Sequence, residues 1–197
     1  MKSIKLPMSM DQLEAYFKKH LGQGIHDLRR EEIKKGIKRK PMKLIWFTVD
    51  RKYFRKAVML VSQIHIPHLS VTSGSDRGDF VELIYHFAVN YGHPGDEVSV
   101  NIKVHLPKDD LTIPTITDMV PGAITTEREK QEFLGITVKG IPDSRRLWLD
   151  ENFPRDRYPW RWDETGMESM SRYVHDESEA SNPPTAKNPR RGGDKDE

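Results

Sequence analysis

The chain has 197 residues, of which 31% are charged and 36% hydrophobic, and its formal net charge is +2 at pH 7. A chain of this length suits one domain with extensions, and so small a net charge does not by itself indicate a nucleic-acid-binding protein. The sequence contains no cysteine, which excludes disulfide bonds and any iron–sulfur cluster or zinc site held by thiolates.

The N-terminal residues predict a helix. Ser9 and Gln12 have the spacing of a capping box, and the segment lacks the apolar core of a signal peptide. The absence of cysteine favours the cytosol as the location. Apolar residues recur every four positions, as on one side of an amphipathic helix, at Leu13, Phe17 and Leu21. Residues 25–41 fit both a polar edge strand and a helix, and the pattern leaves the two alternatives open.

The middle of the chain predicts an α+β domain. Residues 44–49 are typical of a strand, and Asp50 is placed to cap a helix over 51–64. Residues 98–106 alternate apolar and polar positions, which predicts a strand with one buried face. We therefore expect a mostly antiparallel or mixed sheet with helices packed on one face. Further strands are expected at 69–72 and 80–91, with a turn at 74–78 between them.

A short helix is predicted after a connector. Residues 107–124 contain three prolines and are expected to lack regular structure. Thr126 and Glu129 then have the spacing of a capping box, with Thr126 as the N-cap residue. Gly135 is expected to end this helix, and residues 136–138 can add a short strand.

Residues 142–163 predict an extended irregular C-terminal arm, because they combine three prolines with five aromatic residues. We expect a partner to bury these aromatic side chains. One residue of the pair Arg145–Arg146 is expected to bind Glu127 or Glu129, and the other to reach the partner. Trp, Tyr and Arg dominate interface hot spots. The predicted partner interface consists of Glu127, Arg128, Glu129, Glu132, Arg145, Arg146, Trp148, Phe153, Tyr158, Trp160 and Trp162. The alternative is a capped helix in a loop with no such role.

The expected organisation has four parts. From Asp176 onward, prolines aside, the chain has no apolar residue larger than alanine, so this tail is expected to be disordered when free. The predicted parts are an N-terminal helix (1–24), an α+β domain (25–141), a partner-binding arm (142–175) and a tail (176–197).

The sequence offers no convincing catalytic chemistry. It contains no phosphate-binding loop and no nucleophile-elbow motif. His65 and His68 are separated by Pro67 and have no further ligands at metal-site spacing. We therefore expect no catalytic residue, no cofactor-binding residue and no metal site. Residues 29–43 carry eight basic and two acidic residues, which fits a solvated face. Binding to RNA or the ribosome through this run is the alternative function.

The stretch EREKQEFLGITVKGIPDSRRLWLDENFP, residues 127–154, resembles the signature of the thirty-kilodalton subunit family of respiratory complex I, the C-type subunit of NADH–quinone oxidoreductases. Leu134, Ile141 and Ser144 depart from the family pattern. The departures suggest a distant branch, the related subunit of archaeal membrane-bound hydrogenase or sulfane-sulfur reductase complexes. The matching positions are Glu127, Arg128, Glu129, Glu132, Gly135, Ile136, Gly140, Pro142, Asp143, Arg145 and Arg146.

The resemblance implies a scaffold subunit without a cofactor in the hydrophilic arm of a membrane-bound oxidoreductase. The implied partners are a hydrogenase-like large subunit and the iron–sulfur subunits of the same complex. Iron–sulfur clusters, and nickel–iron in the hydrogenase branch, would lie in those partners. The implied location is the cytoplasmic face of the cell membrane, reached through the partners, and no nucleic acid is expected. The active site of the complex would lie on another chain.

Overall fold

The computed structural model describes residues 6–35 and 40–166, and it forms an α+β domain followed by an irregular segment. The predicted tail, 176–197, lies outside the described residues, as does the end of the predicted arm. The helices are α1 (Met10–Leu21), α2 (Phe54–Ile64) and α3 (Ala123–Leu134). The strands are β1 (Ile25–Lys35), β2 (Lys40–Val49), β3 (His68–Asp76), β4 (Phe80–Val89), β5 (Val98–Pro107), β6 (Thr112–Pro114) and β7 (Thr137–Lys139).

Five of the strands form one mixed sheet in the order β1-β2-β5-β4-β3. Three of its four pairings are antiparallel, and β2 and β5 run parallel. The chain crosses from β2 to its parallel neighbour through α2 and the β3–β4 hairpin. A separate parallel pair, β6 and β7, flanks α3. The expectation of a mostly antiparallel or mixed sheet is therefore confirmed.

All three helices contact the same face of the sheet. The ring of Phe17 in α1 lies 4.9 Å from that of Phe47 in β2, and the ring of Phe54 in α2 lies 4.6 Å from that of Tyr85 in β4. Leu134 of α3 packs over Gly74 of β3, where an added Cβ would lie 2.5 Å from a Leu134 methyl carbon. The predicted alternation of β5 is confirmed, since every residue of its apolar face is buried: Val98, Val100, Ile102, Val104 and Leu106.

The N-terminal helix belongs to the same hydrophobic core. Its capping box is formed as expected, with the Gln12 N–H donated to the Ser9 hydroxyl and the Ser9 N–H to the Gln12 side chain. Leu13, Phe17 and Leu21 are buried against the sheet. Helix α1 and the α+β domain therefore share one core.

Several local predictions were open or wrong. Residues 25–35 and 40–41 lie in strands, because β1 pairs with β2 along the edge of the sheet, and charged residues suit such an edge. Asp50 does not cap a helix with its side chain, which instead lies 3.0 Å from His26 Nε2, and a 3-10 turn at Arg51–Tyr53 precedes α2. Gly74 lies within β3 rather than in a turn. The connector 107–124 contains β6 and the start of α3.

Candidate partner-binding surface

Helix α3 begins earlier than the sequence predicted. It starts at Ala123 after Gly122, and Thr126 lies inside it, where its hydroxyl donates to the Ala123 carbonyl. The predicted capping box at Thr126 and Glu129 is therefore wrong. Gly135 does end the helix, in the left-handed conformation with φ of 68° that favours glycine.

Glu127 fixes α3 to the domain. Its carboxylate accepts a hydrogen bond from the Thr115 hydroxyl at 2.6 Å and from the Ile116 N–H at 2.9 Å. The residue is 1% exposed, and burial raises the pKa of Glu127 although these hydrogen bonds act in the opposite direction. The Glu127 side chain is therefore engaged within the domain, and its place in the predicted interface stays a prediction.

Arg128 holds the chain that follows β7. Its guanidinium donates to the backbone carbonyls of Arg145 at 2.8 Å and Arg146 at 3.1 Å. The same group lies 3.3 Å from a carboxylate oxygen of Asp143. A planar guanidinium can make several such bonds in one fixed geometry. Arg128 therefore sets the path of the backbone through the double-arginine sequence.

Glu132 holds the next three residues of the same loop. Its carboxylate accepts the backbone N–H groups of Leu147, of Trp148 at 2.8 Å and of Leu149 at 2.9 Å. Hydrogen bonds to an ionised acceptor are shorter and stronger than neutral ones. Glu132 is 7% exposed, so it supports the loop from beneath the surface. The buried carboxylate acts as a fixed anchor for the loop 143–149.

Lys130 and Phe133 of α3 hold the later part of the arm. The Trp160 N–H donates to the Phe133 carbonyl at 2.9 Å, and the two rings stack with centroids 4.6 Å apart. The ammonium of Lys130 lies 4.7 Å from the Trp160 ring centroid. Burial lowers the pKa of Lys130 despite its ion pair with Glu129. The Tyr158 ring packs on Gly135, where a Cβ would come within 2.7 Å of it.

Residues 161–163, near the end of the described chain, are held to the sheet by the buried carboxylate of Asp76. Asp76, at the end of β3, accepts from Lys108 Nζ at 2.5 Å and from the Trp162 N–H at 3.0 Å. Arg161 lies 3.4 Å from the same carboxylate and also binds Asp163. Burial alone would raise the pKa of Asp76, but the hydrogen bonds from Lys108 and the backbone outweigh it and the pKa is lowered.

The two arginines of the pair have different surroundings. Arg145 binds the Asp143 carboxylate at 2.8 Å. Arg146 donates to the backbone carbonyls of Phe153 at 2.6 Å and Pro154 at 3.1 Å, and its guanidinium lies over the Phe153 ring. Neither pairs with Glu127 or Glu129 as predicted: the Glu127 carboxylate binds Thr115 and Ile116 before α3, and the Glu129 carboxylate pairs with Lys130.

The predicted interface residues thus separate into an inner and an outer group. Tyr158, Phe153 and Trp160 pack against this chain's own residues, whereas Trp148 and Trp162 are the most exposed of the five aromatic side chains. Their burial by a partner stays a prediction. The inner group makes its contacts within this chain, on α3 or along the arm, and consists of Glu127, Arg128, Glu129, Glu132, Arg146, Phe153, Tyr158 and Trp160. The outer group is Arg145, 85% exposed at its side chain, Trp162, 78% exposed, and Trp148, 57% exposed.

The sequence prediction missed several residues of this surface. Leu147 is 45% exposed beside Trp148, and its place within the apolar run LWL was the available signal. Asp76 and Lys108, which hold the end of the arm, lie 86 and 55 positions from their contacts at Trp162 and Asp163. No local pattern in a single sequence indicates pairs so far apart.

The basic run 29–43 gives little support for phosphate binding in its described part. Arg30 forms ion pairs with Asp11 and Glu14 of α1. Arg29 lies 3.4 Å from Glu31 and over the Trp46 ring. Both cations are therefore already paired within the chain.

In residues 6–35 and 40–166, no group of three or more His, Asp or Glu side chains is placed to hold a metal ion. Within the same residues, no helix is both long enough and apolar enough to cross a membrane.

Comparison with known proteins gives one family. Residues 47–169 match the family model described as the 30 kDa subunit of the respiratory-chain NADH dehydrogenase. The membrane-bound hydrogenase subunit beta of Pyrococcus furiosus is 33% identical over 124 residues, which are 62% of this chain and 71% of that protein. The C-type subunit of the NADH-quinone oxidoreductase of Ruegeria pomeroyi is 34% identical over 88 residues, 45% of this chain and 40% of that one.

A further relative is much longer than the region it shares with this chain, and a solved structure has a similar fold. Formate hydrogenlyase subunit 5 of Escherichia coli is 34% identical over 119 residues, 59% of this chain but 20% of that protein. A chain in the structure of the membrane-bound sulfane sulfur reductase, an archaeal respiratory membrane complex, has a similar fold. Its TM-score is 0.67 over 89% of this chain and 95% of that chain, at 18% identity.

Proposed function

Because the chain belongs to the family of the 30 kDa subunit of the respiratory-chain NADH dehydrogenase, we propose that it is a scaffold subunit in the hydrophilic arm of a complex I-type membrane-bound oxidoreductase. In this proposal it docks on the large, hydrogenase-like catalytic subunit and neighbours the iron–sulfur subunits. Its relatives belong to membrane-bound hydrogenase, NADH–quinone oxidoreductase and F420H2 dehydrogenase systems. The complex is an oxidoreductase, and the proposed role of this chain within it is non-catalytic.

One observation carries the docking proposal. Arg128 and Glu132 hold the loop 143–149 from below through five hydrogen bonds to its backbone. The loop is therefore built into a defined shape while Arg145, Leu147 and Trp148 remain exposed on it. Holding large apolar side chains in water is unfavourable, and exposed aromatic and arginine residues on a fixed loop are typical of a protein contact.

The proposal includes no cofactor on this chain. The sequence has no cysteine to bind a cluster, so electrons would pass through clusters, and in the hydrogenase branch a nickel–iron centre, in the partner subunits. The proposed location is the cytoplasmic face of the membrane, reached through those partners. The chain would contribute a rigid platform and the loop 143–149, which we call the docking loop.

The test is native purification of a tagged chain from its host in mild detergent. The proposal predicts that a homologue of the hydrogenase large subunit and iron–sulfur proteins co-purify in fixed ratio. Double alanine substitution of Leu147 and Trp148 should lower their yield severalfold, whereas substitution of the exposed Met59 on α2 should not. Recovery of ribosomal proteins or RNA instead would favour the alternative function.

A further inference from the structure

The outer side of the docking loop forms a concave surface lined by arginines. Its volume is about 1090 Å³, at or above the roughly 300–1,000 Å³ of typical small-molecule sites. We call this surface the arginine groove. It is lined by Arg128, Arg145, Arg146, Arg155, Leu147 and Leu149, with Ser144, Glu151 and Asn152. Its size and open shape suit a segment of polypeptide better than a small molecule.

The charges of the arginine groove are unbalanced toward the positive. Its lining contains four arginines and one glutamate, a net of three positive charges. Asp143, next to the groove, lies between Arg128 and Arg145 and balances one of these charges. The Glu132 carboxylate is turned inward to the backbone N–H groups of the loop. The outward charge is therefore mainly that of guanidinium groups.

The four guanidiniums have two different roles. Those of Arg128 and Arg146 donate to backbone carbonyls and hold the loop and the arm together. Arg145 is bound on one side only, by Asp143, and is 85% exposed at its side chain. Within the described residues, Arg155 is exposed and has no carboxylate partner. Arg145 and Arg155 are thus available to bind an incoming group.

Apolar side chains lie among these cations. Leu147 and Leu149 line the arginine groove, and Leu147 is 45% exposed. An incoming chain that placed one carboxylate on the Arg145 guanidinium and another on that of Arg155 could also cover these leucines. Arginine binds carboxylates through two parallel hydrogen bonds, and covering apolar area adds about 25 cal/mol per Å².

We propose that the arginine groove binds an acidic segment of the docking partner: an extended polypeptide with carboxylates that bind Arg145 and Arg155 and an apolar residue between them. The inference deepens the proposed function, on which it rests for the existence of the partner. It assigns carboxylate recognition to Arg145 and Arg155. It assigns to Arg128 and Arg146 the role of positioning the loop and the arm. Complementary charge also steers association and makes it sensitive to salt.

The test uses the purified full-length chain and two synthetic nonapeptides, one with four glutamates and two leucines among glycines, the other with glutamines in place of the glutamates. Binding is followed by NMR of the arginine side-chain N–H groups and the amides of residues 144–152. We expect saturable shifts with the glutamate peptide only. The double variant Arg145→Gln, Arg155→Gln should weaken binding about tenfold or more. The control variant Lys52→Gln, Lys56→Gln loses the same charge at and before α2 and should bind within about twofold.

Several outcomes would overturn the inference. Equal binding of the glutamine peptide, or unchanged binding by the Arg145→Gln, Arg155→Gln variant, would exclude carboxylate recognition. Displacement of the peptide by oligoadenylate RNA or by phosphatidylglycerol vesicles at lower concentration would assign the groove to a different partner. The proposed function is tested separately by native purification. Peptide binding without any associated oxidoreductase subunits would contradict the proposed function alone, and association with those subunits without peptide binding would contradict this inference alone.

Discussion

The carboxylate of Glu132 accepts the backbone N–H of Trp148 at 2.8 Å, although the two residues are 16 positions apart. The same carboxylate binds the N–H groups of Leu147 and Leu149, on either side of Trp148. Glu132 therefore determines how the loop 143–149 presents its side chains. Glu132 thus acts from beneath the candidate partner-binding surface rather than on it.

Replacement of Glu132 should disrupt the loop. Glu132→Ala leaves three backbone N–H groups without their acceptor, and each partly buried group left unsatisfied costs about 1–3 kcal/mol. We expect a drop of about 1–3 kcal/mol in the free energy of unfolding, measured in urea, because water replaces part of the loss. Glu151→Ala, an exposed acid of the same arm, should change stability little. Equal stability of the two variants would show that the Glu132 bonds do not hold the loop.

Substitutions of Arg145 and Arg146 should differ in their effects on folding and on assembly of the complex. Arg146→Ala removes bonds to the Phe153 and Pro154 carbonyls and should lower both the melting temperature of the free chain and the yield of assembled complex. Arg145→Ala should lower the yield of complex and leave the melting temperature nearly unchanged, because exposed ion pairs contribute only about 0–1 kcal/mol. Thermal unfolding and native purification measure the two effects. Normal assembly of both variants would contradict a role for this loop in docking.

Gly135 should not tolerate a side chain. Its φ of 68° costs an L-residue about 1–2 kcal/mol, and a Cβ would lie 2.7 Å from the Tyr158 ring. Gly135→Ala should therefore destabilise the chain and displace Tyr158, which the fluorescence and NMR signals of that ring would report. Gly122→Ala, at the other end of α3, meets open space and should have little effect. A well-tolerated Gly135→Ala with unchanged Tyr158 signals would contradict the packing described.

Ionisation of Asp76 should make the free energy of unfolding depend on pH in the acidic range. Its pKa is lowered in the folded state, so its contribution is present above the unfolded-state pKa of about 3.9 and is lost as the pH falls through the lower folded-state value. We expect Asp76→Asn to be less stable than wild type at pH 7, by about 1.5–3 kcal/mol. The difference should shrink as the pH falls below about 4. Urea unfolding across this range measures it, and a difference that is constant with pH would contradict the assignment.

The parts of the fold that the sequence predicted are those set by local or periodic signals. The Ser9–Gln12 capping box and the alternation of β5 depend on neighbouring residues, and both are confirmed. The Thr126 capping box was wrong because α3 begins at Ala123, so that Thr126 lies inside the helix. Glu127, the next residue, binds Thr115 and Ile116, contacts that a local pattern does not report.

The candidate surface was predicted in part. The sequence located the segment, since prolines, aromatics and paired arginines are visible in it. It did not separate the anchors from the exposed residues, because Arg128 and Arg146 bind backbone carbonyls, and every residue of a sequence carries a carbonyl. Only the folded chain shows which carbonyls are within reach.

The most direct test of the docking proposal is photo-cross-linking in the assembled complex. Benzoylphenylalanine is placed at position 148 on the loop or, as a control, at position 59 on α2, both of which are exposed in the free chain. After irradiation of the natively purified complex, mass spectrometry identifies the linked peptides. The account predicts that position 148 links to the hydrogenase-like large subunit and that position 59 does not. Links from position 148 only within this chain, or to a protein outside an oxidoreductase complex, would contradict it.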